Sequence, residues 1–217
     1  KPIKWSESRS GWIQAGFAAR DYHATSKAAF TKDGKLLALE TDIVADMGCD
    51  GAERACGLGM PLNGGNYATG PYECDTYRTR VRCVVTNKAP YNAYRGYGKD
   101  LANMLVERVI DQAADKLEID PVQIRKINLL KSYPHQIPTG PIIENGTQRE
   151  SLDRLEEIMD LDLLRKRQAE YLEKGKYLGL SLIPYIEPAG ATFPGSAFQN
   201  YESVNLRLAA DGSLQVL

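Results

Sequence analysis

The residues best suited to binding chemistry form one short segment, Ala93-Tyr94-Arg95-Gly96-Tyr97-Gly98, between a β-rich run and a helical pattern. Its two glycines let backbone N–H groups approach a ligand that a Cβ would exclude. Arg95 supplies a permanently charged planar group, Tyr94 and Tyr97 offer flat ring faces, and the following helix start favours an oxyanion or a phosphate. The segment therefore predicts one wall of a pocket for an anion and a ring. A short Arg-Gly-x-Gly before a helix is also typical of an ordinary tight turn.

The rest of the sequence contains no pattern typical of a self-contained catalytic site. It has no Gly-x-Ser-x-Gly, His-Glu-x-x-His or Walker sequence, and no Cys and His at a suggestive spacing. His23 and His135 share no motif, so we assign them no role. We expect reduced thiols at the cysteines, which are Cys49, Cys56, Cys74 and Cys83. From these residues we assign no catalytic residue and no metal ligand.

Composition places the chain among ordinary globular proteins. Its 217 residues include 27 basic and 28 acidic groups, with 43% apolar and 25% charged residues. The near-neutral charge argues against non-specific binding of nucleic acid, and no segment is long and apolar enough for a membrane span. We therefore expect a protein that binds neither nucleic acid nor membrane, and the reduced thiols predict a cytoplasmic location.

Strand signals dominate the first half of the chain. Asp33-Gly34 lies between two β-rich runs, from Tyr22 to Thr31 and from Leu36 to Met47, and predicts a hairpin. The glycine-rich stretch 48–70 has no period and predicts a long loop. A further strand, from Tyr77 to Thr86, alternates apolar residues with arginines that we expect to face solvent or a partner. We also expect three carboxylates at strand spacing to face solvent, which are Glu40, Asp42 and Asp46.

Helical spacing of apolar residues predicts a long helix from Asp100 and a second helix capped by Asp120-Pro121. After a connector over 132–146, we expect helices over 148–175, broken near Met159. A strand over 179–186 and a hairpin around Asp211-Gly212 follow. These elements predict a mixed α+β fold, with twisted β-ribbons and a sheet packed against several helices. We expect two parts: 1–131, with the loop and two helices, and 132–217, a helical connector followed by strands.

The two ends of the chain also show strand patterns, over 1–5 and 213–217. Chain ends are usually polar and frayed unless other structure holds them. The sequence has no starting Met and no polar tail, so we expect it to be part of something longer.

Many short segments, in a specific order and spacing, carry a family resemblance. They are Pro2-Ile3-Lys4-Trp5 with Glu7 and Arg9, Asp33-Gly34 through Leu39 to Glu40, Gly70-Pro71-Tyr72, Thr86-Asn87, the segment 93–98, Glu107, Asp120-Pro121 with Arg125, Asn128 and Leu129, and Pro138-Thr139-Gly140. Across nearly its whole length the sequence resembles the first part of the molybdenum-cofactor-binding region of the xanthine dehydrogenase and aldehyde oxidase family, the molybdenum hydroxylase large subunits. The resemblance implies a fragment of a molybdenum-cofactor-binding domain.

The resemblance implies a molybdenum-pterin cofactor, either molybdopterin or its cytosine dinucleotide form. In that family the pterin dithiolene holds the metal, so the protein need not supply ligands. The family reaction is the water-derived hydroxylation of an aldehyde or an N-heterocycle. Electrons then leave through iron–sulfur clusters to FAD on partner subunits. The expected partners are therefore the remaining part of the molybdenum-binding subunit, the iron–sulfur and flavin subunits, and a small-molecule substrate.

The resemblance also implies roles for individual residues. Arg95, Gly96 and Tyr94 correspond to positions beside the molybdenum and the pterin. Tyr97 corresponds to an aromatic residue that packs on the substrate ring, and Thr192 to a substrate contact. Asn63 stands where purine-oxidising members carry a substrate-orienting arginine, and Ala191 where they carry a second stacking aromatic. The segment also lacks the copper-ligating cysteine of the carbon-monoxide-oxidising branch. These differences favour an aldehyde or aromatic substrate over a purine.

Two functions from different classes follow. The first is a fragment or split subunit of a molybdenum hydroxylase that builds one wall of the cofactor and substrate pocket. Because the family's Gln-Gly motif and general-base glutamate are absent, we expect no hydroxylase activity from the chain alone. The alternative is a non-catalytic assembly or interaction module that binds partner subunits without cofactor. A third interpretation, an unrelated phosphate-binding α/β protein, requires the resemblance to be accidental.

Overall fold

A three-stranded sheet organises the larger part of the computed structural model, which describes residues 2–49, 55–187 and 204–216. The elements, in chain order, are α1 (Arg9–Ala15), β1 (Tyr22–Phe30), β2 (Leu36–Asp46), α2 (Ala55–Asn66), β3 (Thr76–Val84), α3 (Lys99–Leu117), α4 (Pro121–Asn128), β4 (His135–Gln136), β5 (Ile142–Ile143), α5 (Gln148–Ile158), α6 (Leu161–Glu173), β6 (Leu206–Leu208) and β7 (Leu214–Val216). This content confirms the mixed α+β class. No helix among the described residues is long and apolar enough to cross a membrane.

The chain divides into two units, Lys1–Glu187 and Pro188–Leu217. The division at 131/132 stays a prediction. In the second unit, the described residues form the expected hairpin, with β6 and β7 antiparallel around a turn at which Gly212 has a φ of +83°.

The sheet has the order β1-β2-β3. β1 and β2 are antiparallel, as the Asp33-Gly34 signal predicts, and Gly34 has a φ of +87° at the turn. β2 and β3 are parallel, so the chain between them must cross over. On the outer face, arginines of β3 pair with acidic residues of β2, including Arg78 with Glu40 at 2.9 Å and Arg82 with Asp42 at 2.8 Å.

The crossover contains α2, and the expectation of a loop throughout 48–70 is therefore wrong. The glycines there serve packing. A Cβ at Gly64 would lie 2.8 Å from Leu101 Cδ2, and one at Gly65 would lie 2.9 Å from Thr79 Oγ1. The missing side chains let α2 lie directly on α3 and β3. Tertiary contact thus outweighs the low helix propensity of glycine.

α3 supplies the central packing face of the larger unit. Its apolar residues at helical spacing, including Val106 and Ile110, are fully buried against the sheet and α4. α4 begins as expected, because Asp120 accepts hydrogen bonds from the backbone N–H groups of Val122 and Gln123. The long helix, the capped helix and the break between α5 and α6 are confirmed.

A buried polar cluster joins α3, α4 and the segment before β3. Arg125 donates through Nε to Glu107 Oε2 at 2.8 Å and through Nη2 to Asp111 Oδ1 at 2.7 Å. Tyr72 donates its hydroxyl hydrogen to Glu107 Oε1 at 2.5 Å. Arg125 and Glu107 expose only 2% and 7% of their side chains. Burial raises the pKa of the Tyr72 hydroxyl well above its usual value, and the neighbouring Glu107 raises it further, so Tyr72 stays a donor.

Asn128 fixes the hairpin turn to α4. Its side-chain oxygen accepts from Leu36 N at 2.7 Å, and its amide nitrogen donates to Gly34 O at 2.8 Å. Asn128 is 1% exposed, so these bonds compete with no solvent. The two ends of the turn are therefore held by one buried side chain.

Two expected strands are absent from the described residues. Residues 179–186 alternate exposed with buried or half-buried side chains, as a strand would, but they pair with no other described strand. Residues 2–5 are in no strand, and the short helix α1 follows, capped by Ser8, which accepts from Gly11 N. In the connector over 132–146, β4 and β5 form a two-residue antiparallel pair.

Arg125→Met is expected to lower the free energy of unfolding by about 3–5 kcal/mol, because it leaves Glu107 buried without its cation. Equilibrium urea unfolding measures the change. Arg154→Met is the matched control, since Arg154 is 69% exposed and pairs with Glu157 on the surface, where the loss should stay below about 1 kcal/mol. Adding Glu107→Leu to Arg125→Met should recover part of the loss. If Arg125→Met and Arg154→Met lowered the free energy of unfolding equally, a structural role for the buried cluster would be contradicted.

Candidate functional site

Asp46 joins the end of β2 to the residues that follow β3. Its Oδ1 accepts from the Thr86 hydroxyl at 2.6 Å and from Gly48 N at 3.0 Å, and Lys88 Nζ lies 2.9 Å from its Oδ2. Its side chain is 14% exposed, so the expectation that it faces solvent is wrong. The hydrogen bonds from Thr86, Gly48 and Lys88 lower the pKa of Asp46 to about 2.

The segment 94–98 is a tight turn that leads into α3. Gly96, Tyr97 and Gly98 have consecutive positive φ angles of +105°, +45° and +88°. Tyr97 N donates to Tyr94 O at 3.2 Å, and Lys99 N donates to Gly96 O at 2.9 Å. Because a non-glycine residue rarely adopts a positive φ, the conformation of Tyr97 must be imposed by its surroundings. We call residues 94–98 the arginine loop.

α2 provides those surroundings. A Cβ at Gly98 would overlap the carbonyl oxygen of Met60, and a Cβ at Gly59 would overlap the Tyr97 hydroxyl. The arginine loop and α2 therefore touch through glycines on both sides. This contact fixes the position of the loop relative to the sheet.

Arg20 also holds the loop through its side chain. It donates through Nε to Asp100 Oδ2 at 2.6 Å and through Nη2 to the carbonyl oxygen of Arg95 at 2.5 Å. Its guanidinium carbon lies 4.7 Å from the centroid of the Tyr94 ring. Ala18, two residues before Arg20, forms backbone hydrogen bonds with Pro90 and Asn92, and these bonds place Arg20 beside the loop. The role of Arg20 could not be predicted from the sequence, because its partners lie 75 and 80 residues away and no local pattern marks them.

Arg95, unlike Arg20, has a side chain without a partner in the described part of the chain. The residue is exposed, and no described residue forms a hydrogen bond or an ion pair with its guanidinium. No described residue accepts a hydrogen bond from the backbone N–H of Gly96. A cation and a backbone donor are thus available to an outside ligand on the same turn.

The other candidate residues are distributed around this turn. Tyr94 is 63% exposed, whereas Tyr97 is half-buried against α2. Asn63 is half-buried on α2, one turn after Gly59, and so lies on the face that meets Tyr97. Thr192 lies outside the described residues. The structure therefore brings together every candidate that it describes, but their roles stay predictions.

The chemistry of these residues suits an anionic group attached to a flat ring. Arg95 offers bidentate hydrogen bonds to a phosphate or another oxyanion, and Gly96 leaves room for close approach. The exposed ring of Tyr94 offers a flat face to a planar ligand. The described residues contain no group of three or more His, Cys, Asp or Glu that could hold a metal ion.

A cavity of about 660 Å³ lies at the other end of α3, against α4 and α6. Its lining includes Asp115, Glu118 and Asp120. Their carboxylates would repel an anion, and the side chain of Arg165 is already paired with Asp120. The arginine loop therefore fits an anionic ligand better than this cavity does.

Comparison with known proteins links this geometry to a family. Residues 1–129 match the family described as the molybdopterin cofactor-binding domain. The chain is 30% identical over 190 residues to the nicotine 6-hydroxylase large subunit of Paenarthrobacter nicotinovorans, covering 87% of this chain and 23% of that protein. It is 32% identical over 200 residues to the carbon monoxide dehydrogenase large chain of Hydrogenophaga pseudoflava, covering 88% and 24%. The chain thus spans about a quarter of the length of these relatives.

Solved structures show the same fold. Quinoline 2-oxidoreductase from Pseudomonas putida 86 superimposes with a TM-score of 0.73 at 29% identity, over 79% of this chain and 22% of that one. The family resemblance from the sequence motifs is therefore confirmed, and so is the domain type.

Asp46→Asn is expected to lower the melting temperature at pH 7. The folded-state pKa lies below that of an ordinary Asp, so its ionised form stabilises the fold above about pH 4, and this contribution is lost as the pH falls towards 2. Thermal unfolding of both proteins at pH 7, 4 and 2 should show the difference disappearing. Asp162→Asn, at a side chain 98% exposed, is the control and should have little effect. An undiminished difference at pH 2 would rule out the ionised carboxylate as the cause.

Gly98→Ala is expected to destabilise the chain more than Gly140→Ala. Both glycines have positive φ, and each substitution should cost about 1–3 kcal/mol of backbone strain. A Cβ at Gly140 would meet nothing within 4 Å, whereas one at Gly98 would overlap Met60 O, adding about 1–3 kcal/mol. Urea unfolding of both variants measures the difference. Equal losses of unfolding free energy in the two variants would show that the contact between Gly98 and α2 is not tight.

Proposed function

This chain belongs to the molybdopterin cofactor-binding domain family, and on that premise we propose that its arginine loop forms one wall of the cofactor and substrate pocket of a molybdenum hydroxylase. The observation that carries the proposal is the exposed guanidinium of Arg95 beside the N–H of Gly96, neither of which has a hydrogen-bond partner among the described residues. Molybdopterin carries oxyanions and a fused ring, which are the two groups that this turn suits.

Arg95, Gly96 and Tyr94 are the residues that would hold the cofactor. When bound, it supplies a molybdenum centre that exchanges electrons with the substrate. Arg95 donates hydrogen bonds to an oxyanion, Gly96 lets that oxyanion reach the backbone, and Tyr94 excludes water from one side. Asp100 lies close to Gly96 and would repel an anion, but Arg20 neutralises it from the protein side. The chain thus presents a net positive wall at this turn.

Tyr97, Asn63 and Thr192 are the residues that we propose for the substrate. Asn63 lies one helical turn after Gly59, which meets the Tyr97 hydroxyl, and the neutral amide of Asn63 can donate to or accept from a heteroatom. We propose an aldehyde or an N-heterocycle as substrate, hydroxylated with oxygen from water. The relatives named after nicotine and quinoline support a ring of this kind.

The partners that we propose are the remaining part of a molybdenum-binding subunit and separate iron–sulfur and flavin subunits. The relatives are named as a large subunit and a large chain, so they are parts of assemblies. In the first unit, Ile3, Trp5 and Ile13 are 94%, 83% and 72% exposed, which is typical of a surface that other polypeptide covers. The described cysteines are free thiols, which supports a cytoplasmic location.

The same exposed residues favour a second candidate function, a non-catalytic assembly module. Such a module would bind partner subunits and no cofactor. Molybdenum and pterin content distinguishes the two functions. Both contents are to be measured in the purified chain, with and without co-expressed neighbouring subunits.

Arg95→Ala is expected to lower the molybdenum and pterin content of the purified assembly at least tenfold, because a charge-assisted hydrogen bond worth about 1.5–3 kcal/mol is lost. Arg95→Lys should retain part of the cofactor content, because lysine keeps the positive charge but lacks the planar guanidinium that forms two parallel hydrogen bonds. Arg78→Ala removes an exposed arginine of β3 and is the matched control, with full content expected. Elemental analysis and pterin fluorescence give the result. Full cofactor content in Arg95→Ala would contradict the proposed role of the arginine loop. The absence of cofactor from the wild-type assembly would favour the assembly module.

A further inference from the structure

Lys99 is a second cation beside the arginine loop. It is the first residue of α3 and is half-buried. Its Nζ lies 5.3 Å from the centroid of the Tyr97 ring and 5.7 Å from that of Tyr67. The ammonium group therefore lies between two tyrosine rings.

No described residue neutralises this ammonium group. None forms a hydrogen bond or an ion pair with Lys99, and Glu187 acts on it only from beyond ion-pair distance. Burial lowers the pKa of Lys99, and Glu187 offsets this only partly. Tyrosine faces attract a cation but carry no charge that balances it. A half-buried cation of this kind gains stability when an anion arrives.

Asn63 adds a neutral donor at the same place. It lies one helical turn from Gly59, which meets the Tyr97 hydroxyl, and one turn from Tyr67. No described residue forms a hydrogen bond with its side chain. An amide donor and an ammonium group therefore border the same pair of rings.

We propose that Lys99, with Asn63, forms an oxyanion subsite between Tyr67 and Tyr97 that binds the anionic group of a ligand in the arginine-loop pocket. The subsite makes the pocket prefer a ring compound with a carboxylate to its neutral counterpart. The same chemistry would accept a phosphate of the cofactor. The inference rests on the proposed function for the identity of the pocket, but not for the binding of the anion.

A purely structural role for Lys99 predicts a different response to ligands than an anion subsite does. Its aliphatic stem would cover Tyr67, and its head would lie in solvent without preference for any ligand charge. A pair of ligands that differ only in charge separates the two roles. Pyridine-3-carboxylate and pyridine-3-carboxamide form such a pair, and inorganic phosphate represents the cofactor's anion.

The experiment follows the lysines of the full chain by NMR after reductive methylation with ¹³C-formaldehyde. The signal of Lys99 is assigned by its loss in Lys99→Gln. We expect it to shift and saturate with pyridine-3-carboxylate and to stay in place with the carboxamide. Lys116, exposed in the last turn of the same helix, is the internal control and should not move. A Lys99 signal that moves equally with both pyridines overturns the proposal. So does a Lys99 signal that responds to neither pyridine-3-carboxylate nor phosphate.

Variants measured by calorimetry give a second readout. Lys99→Gln should weaken binding of pyridine-3-carboxylate about tenfold or more, Lys99→Arg should retain most of it, and Lys116→Gln should retain all of it. A response of Lys99 to phosphate alone, with less pterin in the Lys99→Gln assembly, assigns the subsite to the cofactor. Equal carboxylate binding by Lys99→Gln and the wild type contradicts the subsite. These measurements need no bound molybdenum, so they separate this inference from failure of the proposed function.

Discussion

The contact between the backbone of Gly98 and the carbonyl group of Met60 is the constraint on which the candidate site depends. It leaves no room for a side chain at position 98 and joins α2 to the start of α3. α2 is itself held against β3, because Gly65 lets it approach Thr79 and Val81. The arginine loop therefore takes its position from the sheet through a chain of close backbone contacts. Rigid contacts of this kind can hold Tyr97 at a positive φ that its own preference opposes.

Charge pairing, rather than composition, creates the positive character of the loop. The chain as a whole has a net charge of −1. Its buried or clamping arginines are satisfied inside the protein, Arg125 by Glu107 and Asp111, and Arg20 by Asp100. Arg95 and Lys99 have no ion-pair partner among the described residues. A local field thus arises at one turn because Asp100, the acidic group next to Gly96, is already paired with Arg20.

Local signals in the sequence were sufficient for the elements that they specify. The Asp33-Gly34 turn, the α3 periodicity and the Asp120 cap each act within a few residues, and each prediction is confirmed. α2 could not be predicted in this way, because its glycines are selected by contact with α3 and β3 and not by helix propensity. The prediction of a strand over 179–186 is wrong for a related reason, because alternation of exposed and buried side chains does not supply a partner strand. At the site, the arginine loop was visible from its own residues, whereas Arg20 and the environment of Lys99 depend on residues distant in sequence.

Tyr97 shows how far a family resemblance can be carried to a single residue. Position alone implies that its ring packs on a substrate ring, yet the ammonium group of Lys99 lies over that ring in this chain. The face of a tyrosine is electron-rich, so the ammonium and a neutral, electron-poor heterocycle compete for it. An anionic ring compound reduces the competition, because the ammonium can turn towards the carboxylate and away from the tyrosine face. If Tyr97 packs on a substrate ring, as the resemblance implies, the charge of Lys99 therefore decides which ring compounds suit it.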